Sequence, residues 1–356
     1  KNVEFVILNE KIVELYSKGE QDKAIELNAS ESQRISNISL RGESGEFVKI
    51  FADFHKENGE RMVEKEEERS PKVPFSIDPL DDITYGGIDV TDTVLWIMRS
   101  GVGKSTVLKW TGLQAAMLGY NVLHFQLEGS KQEARDKYTQ IFTSLSYQSI
   151  KNGDIPDDII KRIDVTIEQM AQSVRDLFVY SFEKFGEPTM VDIRNLTFEY
   201  EKITGHFPDL IIIDSLDLLA TGTNSKLDND PNYKKEKMQK VAQLMKNLAT
   251  EIKTRILTAT QTGDVSPAIW NDPDKVIDRS HTEGDRTLVK PFAYVFTGNQ
   301  TNDEFKAKTM RIYVDKLRNY DPKNQIYPIC TAFSKGAFYN RKRTVEKFYR
   351  RNEGEL

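Results

Sequence analysis

Two stretches, TVLWIM at 93–98 and DLIIID at 209–214, are unbroken apolar runs of strand length, and they limit the fold more than any other feature. A strand that is apolar on both faces must be covered on both faces, the situation of a strand inside a parallel sheet. Parallel neighbours cannot be joined by a tight turn and need a crossover, usually a helix. The remaining pattern supplies both kinds of element. NVLHFQLE (121–128), LFVYSF (177–182), RILTATQ (255–261), FAYVFTG (292–298), MRIYVDKLR (310–318) and YPICTAF (327–333) read as strands. Val107, Leu108, Thr111, Ala115 and Leu118 share one face of a helix. Met238, Val241, Leu244, Met245, Leu248 and Ile252 share one face of a longer helix. A third, MVDIRNLTFEYEKIT (190–204), stops near Gly205 and Pro208. The tetrad Ser130 to Glu133 has the Ser-x-x-Glu form of a capping box and opens a fourth. The expected fold class is α/β, a three-layer domain with a mainly parallel sheet.

The first 75 residues follow a different pattern, charged and helical. Phe47, Ile50, Phe51 and Phe54 recur at spacings of three and four, an apolar stripe that either packs locally or docks on a neighbouring subunit. VEKEEERSPKVP (63–74) is a charge run ending in two prolines, a linker or a solvated helix end. The expected division is a small helical N-terminal and linker segment at 1–73 and the α/β domain at 74–356. The sequence begins at Lys1 rather than Met, consistent with residues upstream of it.

Composition excludes several classes. Four scattered histidines and the single cysteine, Cys330, argue against a structural zinc site. Cys330 lies in IYPICTAF and is expected to be a small buried core residue in a reducing setting. No run of about 18 apolar residues occurs, and no signal-peptide pattern opens the sequence, so a cytoplasmic location without a membrane span is expected. The net charge of −5 excludes a surface that binds nucleic acid everywhere, so any such binding is local.

The first strand run leads into Arg99-Ser100-Gly101-Val102-Gly103-Lys104-Ser105-Thr106 and then into a helix. Strand, glycine-containing loop and helix N-terminus in that order suit the cradling of phosphates. Helix N-terminal N–H groups point at an anion, and Gly101 and Gly103 let the backbone approach it. Lys104 would reach the β- and γ-phosphates and the Ser105 hydroxyl would ligate Mg²⁺. The usual loop has an initial glycine where this chain has Met98. Asp214, at the end of its apolar run, either acts on Mg²⁺ through water or caps a turn. In an open α/β sheet, ligands bind beyond the carboxyl ends of the strands, so Asp214 is expected beside the loop. Glu128, at the end of NVLHFQLE, is the candidate base that polarises an attacking water. Gln261, ending RILTATQ, is the candidate γ-phosphate sensor. Lys316 and Arg318 alternate along one strand and are expected on one side of it. They are either solvated edge cations or the groups that reach a γ-phosphate held by an adjacent subunit.

Taken in order, these residues resemble the RecA-fold ring helicases of the DnaB type, bacterial and phage. That family's loop reads roughly A-R-P-G-M-G-K-T, without the initial glycine, and MRSGVGKST is similar to it, departing at Met98 and Ser100. VPFSIDPLDDITYGGI resembles the segment before the family's first core strand. FQLE resembles F-S-L-E, which implies that Glu128 is the catalytic base. IIIDSLDLL matches the Walker B strand, ATQ resembles the L-S-Q sensor, and DKLRN resembles K-Q-R-N, whose Lys and Arg act in trans. The resemblance covers about 74–340. It implies a RecA-like motor domain, a hexamer that hydrolyses ATP or another NTP with Mg²⁺ at subunit interfaces, and single-stranded DNA threaded 5′ to 3′ through the centre. It implies pore loops at about 220–234 and 263–288, with Arg279, His281 and Arg286 as candidate DNA contacts. A primase or a loader is the further partner it implies, with the family's N-terminal collar expected to be shortened, absent or divergent here. The C-terminal SKGAFYNRKRTVEKFYRR is either a nucleic-acid surface or a solvated helix with aromatic anchors.

The expected function is an NTP-driven ring helicase of replication. Two alternatives share the residues. A strand-exchange recombinase or its paralogue would form open filaments and not unwind. A regulatory module would bind nucleotide only to assemble.

Overall fold

In a computed structural model, the described residues are 71–161, 165, 177–182, 188–223, 225–282, 286–318 and 325–339, together with Leu15 and Lys18. The chain divides into two compact units, Lys1–Arg69 and Ser70–Leu356, and the second carries the fold described below. The expected N-terminal helical segment, the Phe47 to Phe54 stripe, Asn319 and the tract from 340 onward lie outside the described residues.

Among the described residues nine strands form one sheet. They are β1 (Thr93–Met98), β2 (Val122–Gln126), β3 (Leu177–Ser181), β4 (Leu210–Asp214), β5 (Arg255–Gln261), β6 (Tyr294–Asn299), β7 (Thr309–Leu317), β8 (Ile326–Ala332) and β9 (Ala337–Tyr339). Their order is β3-β2-β4-β5-β1-β6-β7-β8-β9. The first six positions are parallel, with Val94 opposite Leu257 and Tyr294, and Phe125 opposite Ile213. The pairs β6–β7, β7–β8 and β8–β9 are antiparallel. Among the described residues the α-helices are α1 (Asp78–Ile83), α2 (Lys104–Met117), α3 (Lys131–Thr143), α4 (Tyr147–Asn152), α5 (Met190–Thr204), α6 (Ser225–Asn229), α7 (Lys234–Glu251), α8 (Pro267–Trp270) and α9 (Asn302–Lys306).

The continuous apolar runs are central strands, as the two-sided burial requires. Alternation along β1 sends Val94, Trp96 and Met98 into a core with Val107, Leu108 and Ala115 of α2. It sends Leu95 and Ile97 into a second core with Ile193 of α5 and Val241 and Met245 of α7. The sheet is thus the middle of three layers. Each fully buried side chain of that size contributes about 1.5–3 kcal/mol, so both faces are needed to hold the central strands. Phe75, from the segment before β1, packs edge-on against Phe296 at 5.3 Å and closes the end of the first core.

Local signals fix the helix ends. The Ser130 side chain accepts the Glu133 N–H while the Glu133 carboxylate accepts the Ser130 N–H, the reciprocal box that starts α3. Thr189 and Asp192 do the same for α5, which ends on Gly205 at φ 83°. Some expectations change. Leu118 lies beyond the end of α2 and is 59% exposed, because Gly119 turns the chain left-handed there. Cys330 is half-buried rather than a core residue, since β8 belongs to the antiparallel margin of the sheet. Among the described residues, no helix is long and apolar enough to cross a membrane.

Candidate active site

The chain leaves β1 at Met98 and re-enters regular structure as α2 at Lys104. Gly101 at φ 80° and Gly103 at φ 98° make the curl between them, a backbone region where L side chains are strained. A Cβ on Gly103 would also stand 2.6 Å from the Phe333 ring. The first N–H groups of α2 have no helical carbonyl to meet and are available to an anion. Arg99 does not point toward the cavity at the start of this helix. Its guanidinium lies 3.6 Å over the ring of Trp270, at the end of α8.

The expected meeting of Asp214 with the loop occurs through side chains, although β5 separates β4 from β1. Ser105 Oγ donates to Asp214 Oδ1 at 3.1 Å. Lys109 Nζ, one helical turn further on, donates to Asp214 Oδ2 at 2.9 Å, and both groups are buried. Lys104 Nζ donates to Ser215 Oγ at 3.2 Å and lies 3.6 Å from Asp217 Oδ2. Asp217 in turn accepts the Gln261 N–H at 2.9 Å and the Thr260 hydroxyl. The Asp214–Ser215 peptide is cis. Lys104, Ser105 and Asp214 therefore meet at the carboxyl ends of β1 and β4, and Gln261 joins them through its backbone N–H on Asp217 while its side chain does not line the cavity above.

A cavity of about 580 Å³ opens over this cluster. Lys104, Ser105, Thr106, Asp214 and Glu128 line it, with Gln140 and Tyr147 on the α3–α4 side. Strand β2 ends at Gln126, so Glu128 sits in the turn beyond the strand and is exposed at the cavity mouth. A carboxylate there is solvated and able to meet a water. Burial pushes the Asp214 carboxyl up, but the Lys109 ammonium and the hydrogen bonds from Lys109 and Ser105 outweigh it and hold the group below the ordinary range. Asp214 therefore stays ionised. Burial, helped by the nearby Lys109 charge, pushes His124 down to about 3, so it is a neutral ring paired with the Tyr138 hydroxyl at 2.9 Å.

The hydroxyl and carboxylate oxygens of Ser105 and Asp214 are the hard donors that Mg²⁺ prefers. Among the described residues no group of three or more His, Cys, Asp or Glu could hold a metal, so these two fit an ion whose remaining ligands come from phosphates and water.

Lys316 and Arg318 lie at the far end of β7, away from this cavity's lining. The strand ends at Leu317, and a bulge opposite Val295 and Phe296 disturbs the register there. The two side chains differ in environment. Lys316 is half-buried, with Nζ donating to the carbonyls of Val289 and Lys290 at 2.9 and 3.0 Å, whereas Arg318 is exposed. Burial pushes the Lys316 ammonium down to about 8.

The segment after β5 is closed at its base by the Thr262–Thr282 bridge and by Gly263 N–H donating to His281 O. Arg279 is held by the buried Asp315, with Nε 2.7 Å from Oδ2, so its guanidinium serves the loop's own attachment to β7. His281 lies 3.0 Å from Asp278 in a local cap. Arg286 is exposed in a short turn. In the other loop, Asp228 accepts the N–H groups of Thr221 and Gly222 at 2.7 and 3.0 Å.

Sequence reasoning missed Lys109, Ser215, Asp217 and Trp270. None carried a local signal, and Lys109 lies off the apolar face formed by Val107, Leu108, Thr111 and Ala115.

Residues 73–264 match the family of DnaB-like helicase C terminal domains, just over half of the 356 residues. A curated relative, a DnaB-like replicative helicase of Enterobacteria phage T4, is 24% identical over 207 residues, 58% of this chain. The chain spans only 42% of that relative's length. Two solved structures share the fold at 17% identity. One, described as an ATPase domain, superposes with a TM-score of 0.65, covering 83% of this chain and 99% of its own. The other, a DnaB-like replicative helicase described with its interactions with primase, superposes at 0.64, covering 95% of this chain and 78% of its own.

Proposed function

This chain belongs to the family of DnaB-like helicase C-terminal domains, and from that premise we propose that residues 74–356 are an ATP-driven motor. It assembles as a ring of six and moves 5′ to 3′ on single-stranded DNA in replication. The observation that carries the reading is the convergence of Lys104, Ser105 and Asp214 under a cavity with Glu128 at its mouth.

The roles follow from the chemistry. The N–H groups that open α2 and the Lys104 ammonium bind the phosphates. Ser105 and Asp214 would hold Mg²⁺, which neutralises charge on the phosphates when bound. Glu128 takes a proton from the water that attacks the γ-phosphorus, and the bond to the β-phosphate oxygen breaks. Gln261 senses the loss of the γ-phosphate. Lys316 and Arg318 act on the phosphates held by the neighbouring subunit, and Lys316 exchanges two backbone carbonyls for a phosphate when it does so. The segments 220–234 and 263–288 face the DNA. Of the three candidate contacts, exposed Arg286 is the best suited, since Asp315 and Asp278 already engage Arg279 and His281. A primase or a loader is the proposed further partner, and the cytoplasm of a bacterial or phage-infected cell the proposed location. Ring assembly is favoured over a filament by the Lys316-x-Arg318 spacing.

Replacing Lys104 by Ala tests the site. Nucleotide turnover stimulated by single-stranded DNA is expected to fall by about 10²–10³-fold, the loss of one prepositioned charge donor. Full turnover in this variant would remove the assignment, and wild-type turnover that ignores DNA would favour the assembly module.

The Lys316 environment gives a pH dependence. The group is charged below about 8 and neutral above it. Only the charged form attracts phosphate, so kcat/KM for nucleotide, which reports the free protein, declines as pH rises through that value. Lys316→Arg, which stays charged, is expected to flatten the alkaline limb. An alkaline limb identical in both proteins would take Lys316 out of the mechanism.

A further inference from the structure

Asp217 stands three residues beyond the Walker B aspartate, outside the lining of the cavity. Its carboxylate nevertheless joins the phosphate-binding lysine to the end of β5. Oδ2 lies 3.6 Å from Lys104 Nζ and accepts the Gln261 N–H at 2.9 Å, while Oδ1 accepts the Thr260 hydroxyl. Ser215 Oγ, which takes a hydrogen bond from Lys104 at 3.2 Å, donates to Oδ2 at 3.5 Å. The side chains of Lys104 and Asp217 are each only 13% exposed, so solvent screens the pair less than a surface pair.

We propose that Asp217 is a positioning residue that holds Lys104 while the site is empty and passes the arrival of phosphate to Gln261. The proposal rests on the nucleotide-motor reading above. A β- or γ-phosphate and the Asp217 carboxylate compete for the same ammonium. When Lys104 turns to the phosphate, the carboxylate loses that ammonium and draws more strongly on the Gln261 N–H and the Thr260 hydroxyl, because hydrogen bonds to an ionised acceptor gain from its charge. That draws in the end of β5 at the residue placed to sense the γ-phosphate. The chain continues from there through the Thr262–Thr282 bridge into the segment proposed to face DNA. Asp214 is placed differently, since its carboxylate meets Ser105 and Lys109 rather than Lys104 and the end of β5.

The test is a double-mutant cycle on the full chain with a fluorescent, mant-labelled ADP as probe. Asp217→Asn keeps an acceptor for the Gln261 N–H and removes the charge. It is expected to bind the probe about fivefold more tightly, as loss of one competing ion pair allows. In a Lys104→Ala background the same substitution is expected to change nothing, because the gain comes from releasing Lys104. Hydrogen exchange supplies a second readout. The Gln261 amide should slow when ADP saturates the wild type and stay unresponsive in saturated Asp217→Asn. Unchanged affinity in Asp217→Asn, equal tightening without Lys104, or equal amide responses would each overturn the proposal. Wild-type affinity in Lys104→Ala would remove the nucleotide site itself, a failure distinguishable from the others. Should Asp217→Asn fail to fold, as judged by its unfolding midpoint, Asp217→Ser carries the same cycle.

Discussion

Glu128→Gln is expected to bind nucleotide like the wild type and to turn it over about 10²–10⁴-fold more slowly. The substitution keeps size and hydrogen bonding and removes only the ability to accept a proton. Glu128 lines the cavity mouth, is exposed, and makes none of the contacts that hold Lys104, Ser105 and Asp214 together. Its loss should therefore leave the phosphate cradle intact. Rapid-quench measurement of the hydrolysis step, beside equilibrium binding of a labelled nucleotide, separates chemistry from affinity. An unchanged hydrolysis step would show that some other group activates the water, and a binding defect of equal size would make Glu128 a binding residue.

Arg318→Ala carries the largest expected loss, about 10³–10⁵-fold, the contribution of an arginine supplied in trans to phosphoryl transfer. Arg318 is exposed at the end of β7 and is absent from the lining of its own subunit's cavity. A cation so placed stands apart from its own subunit's nucleotide cavity in the described fold, so the proposed effect is exerted on another copy. Mixing separates the two cases. Rings assembled from Arg318→Ala and Glu128→Gln subunits contain some interfaces with both groups intact and should regain part of the activity. No recovery at any mixing ratio would place Arg318 in cis or outside the mechanism.

The legible part of this fold was the part written in local periodicity. The runs at 93–98 and 209–214 could only be two-sided strands, and the Ser130–Glu133 box fixed one helix start, whereas the Thr189–Asp192 box of α5 emerged only from the structure. The loop residues were legible because strand, glycines, lysine and helix are consecutive. Lys109 and Asp214 are 105 positions apart, and Thr260 and Asp217 are 43 apart, so nothing in either neighbourhood announces the other. Arg99 was read as a phosphate-loop residue, and its contact with Trp270 depends on a crossing of segments that spacing does not encode. The alternation rule placed Lys316 and Arg318 on one side, but β7 ends between them, and their environments diverge.

The central claim is that a triphosphate sits between two copies of this chain, held by one and acted on by the next. Single-particle imaging with a non-hydrolysable ATP analogue and a single-stranded oligonucleotide tests it most directly. The expected result is a closed ring with the analogue on Lys104 and Ser105 of each occupied subunit. The neighbour's Lys316 and Arg318 should then lie within about 4 Å of the γ-phosphate, the reach of an ion pair. An assembly in which the analogue occupies that cavity while every partner's lysine and arginine lie far from it would contradict the account.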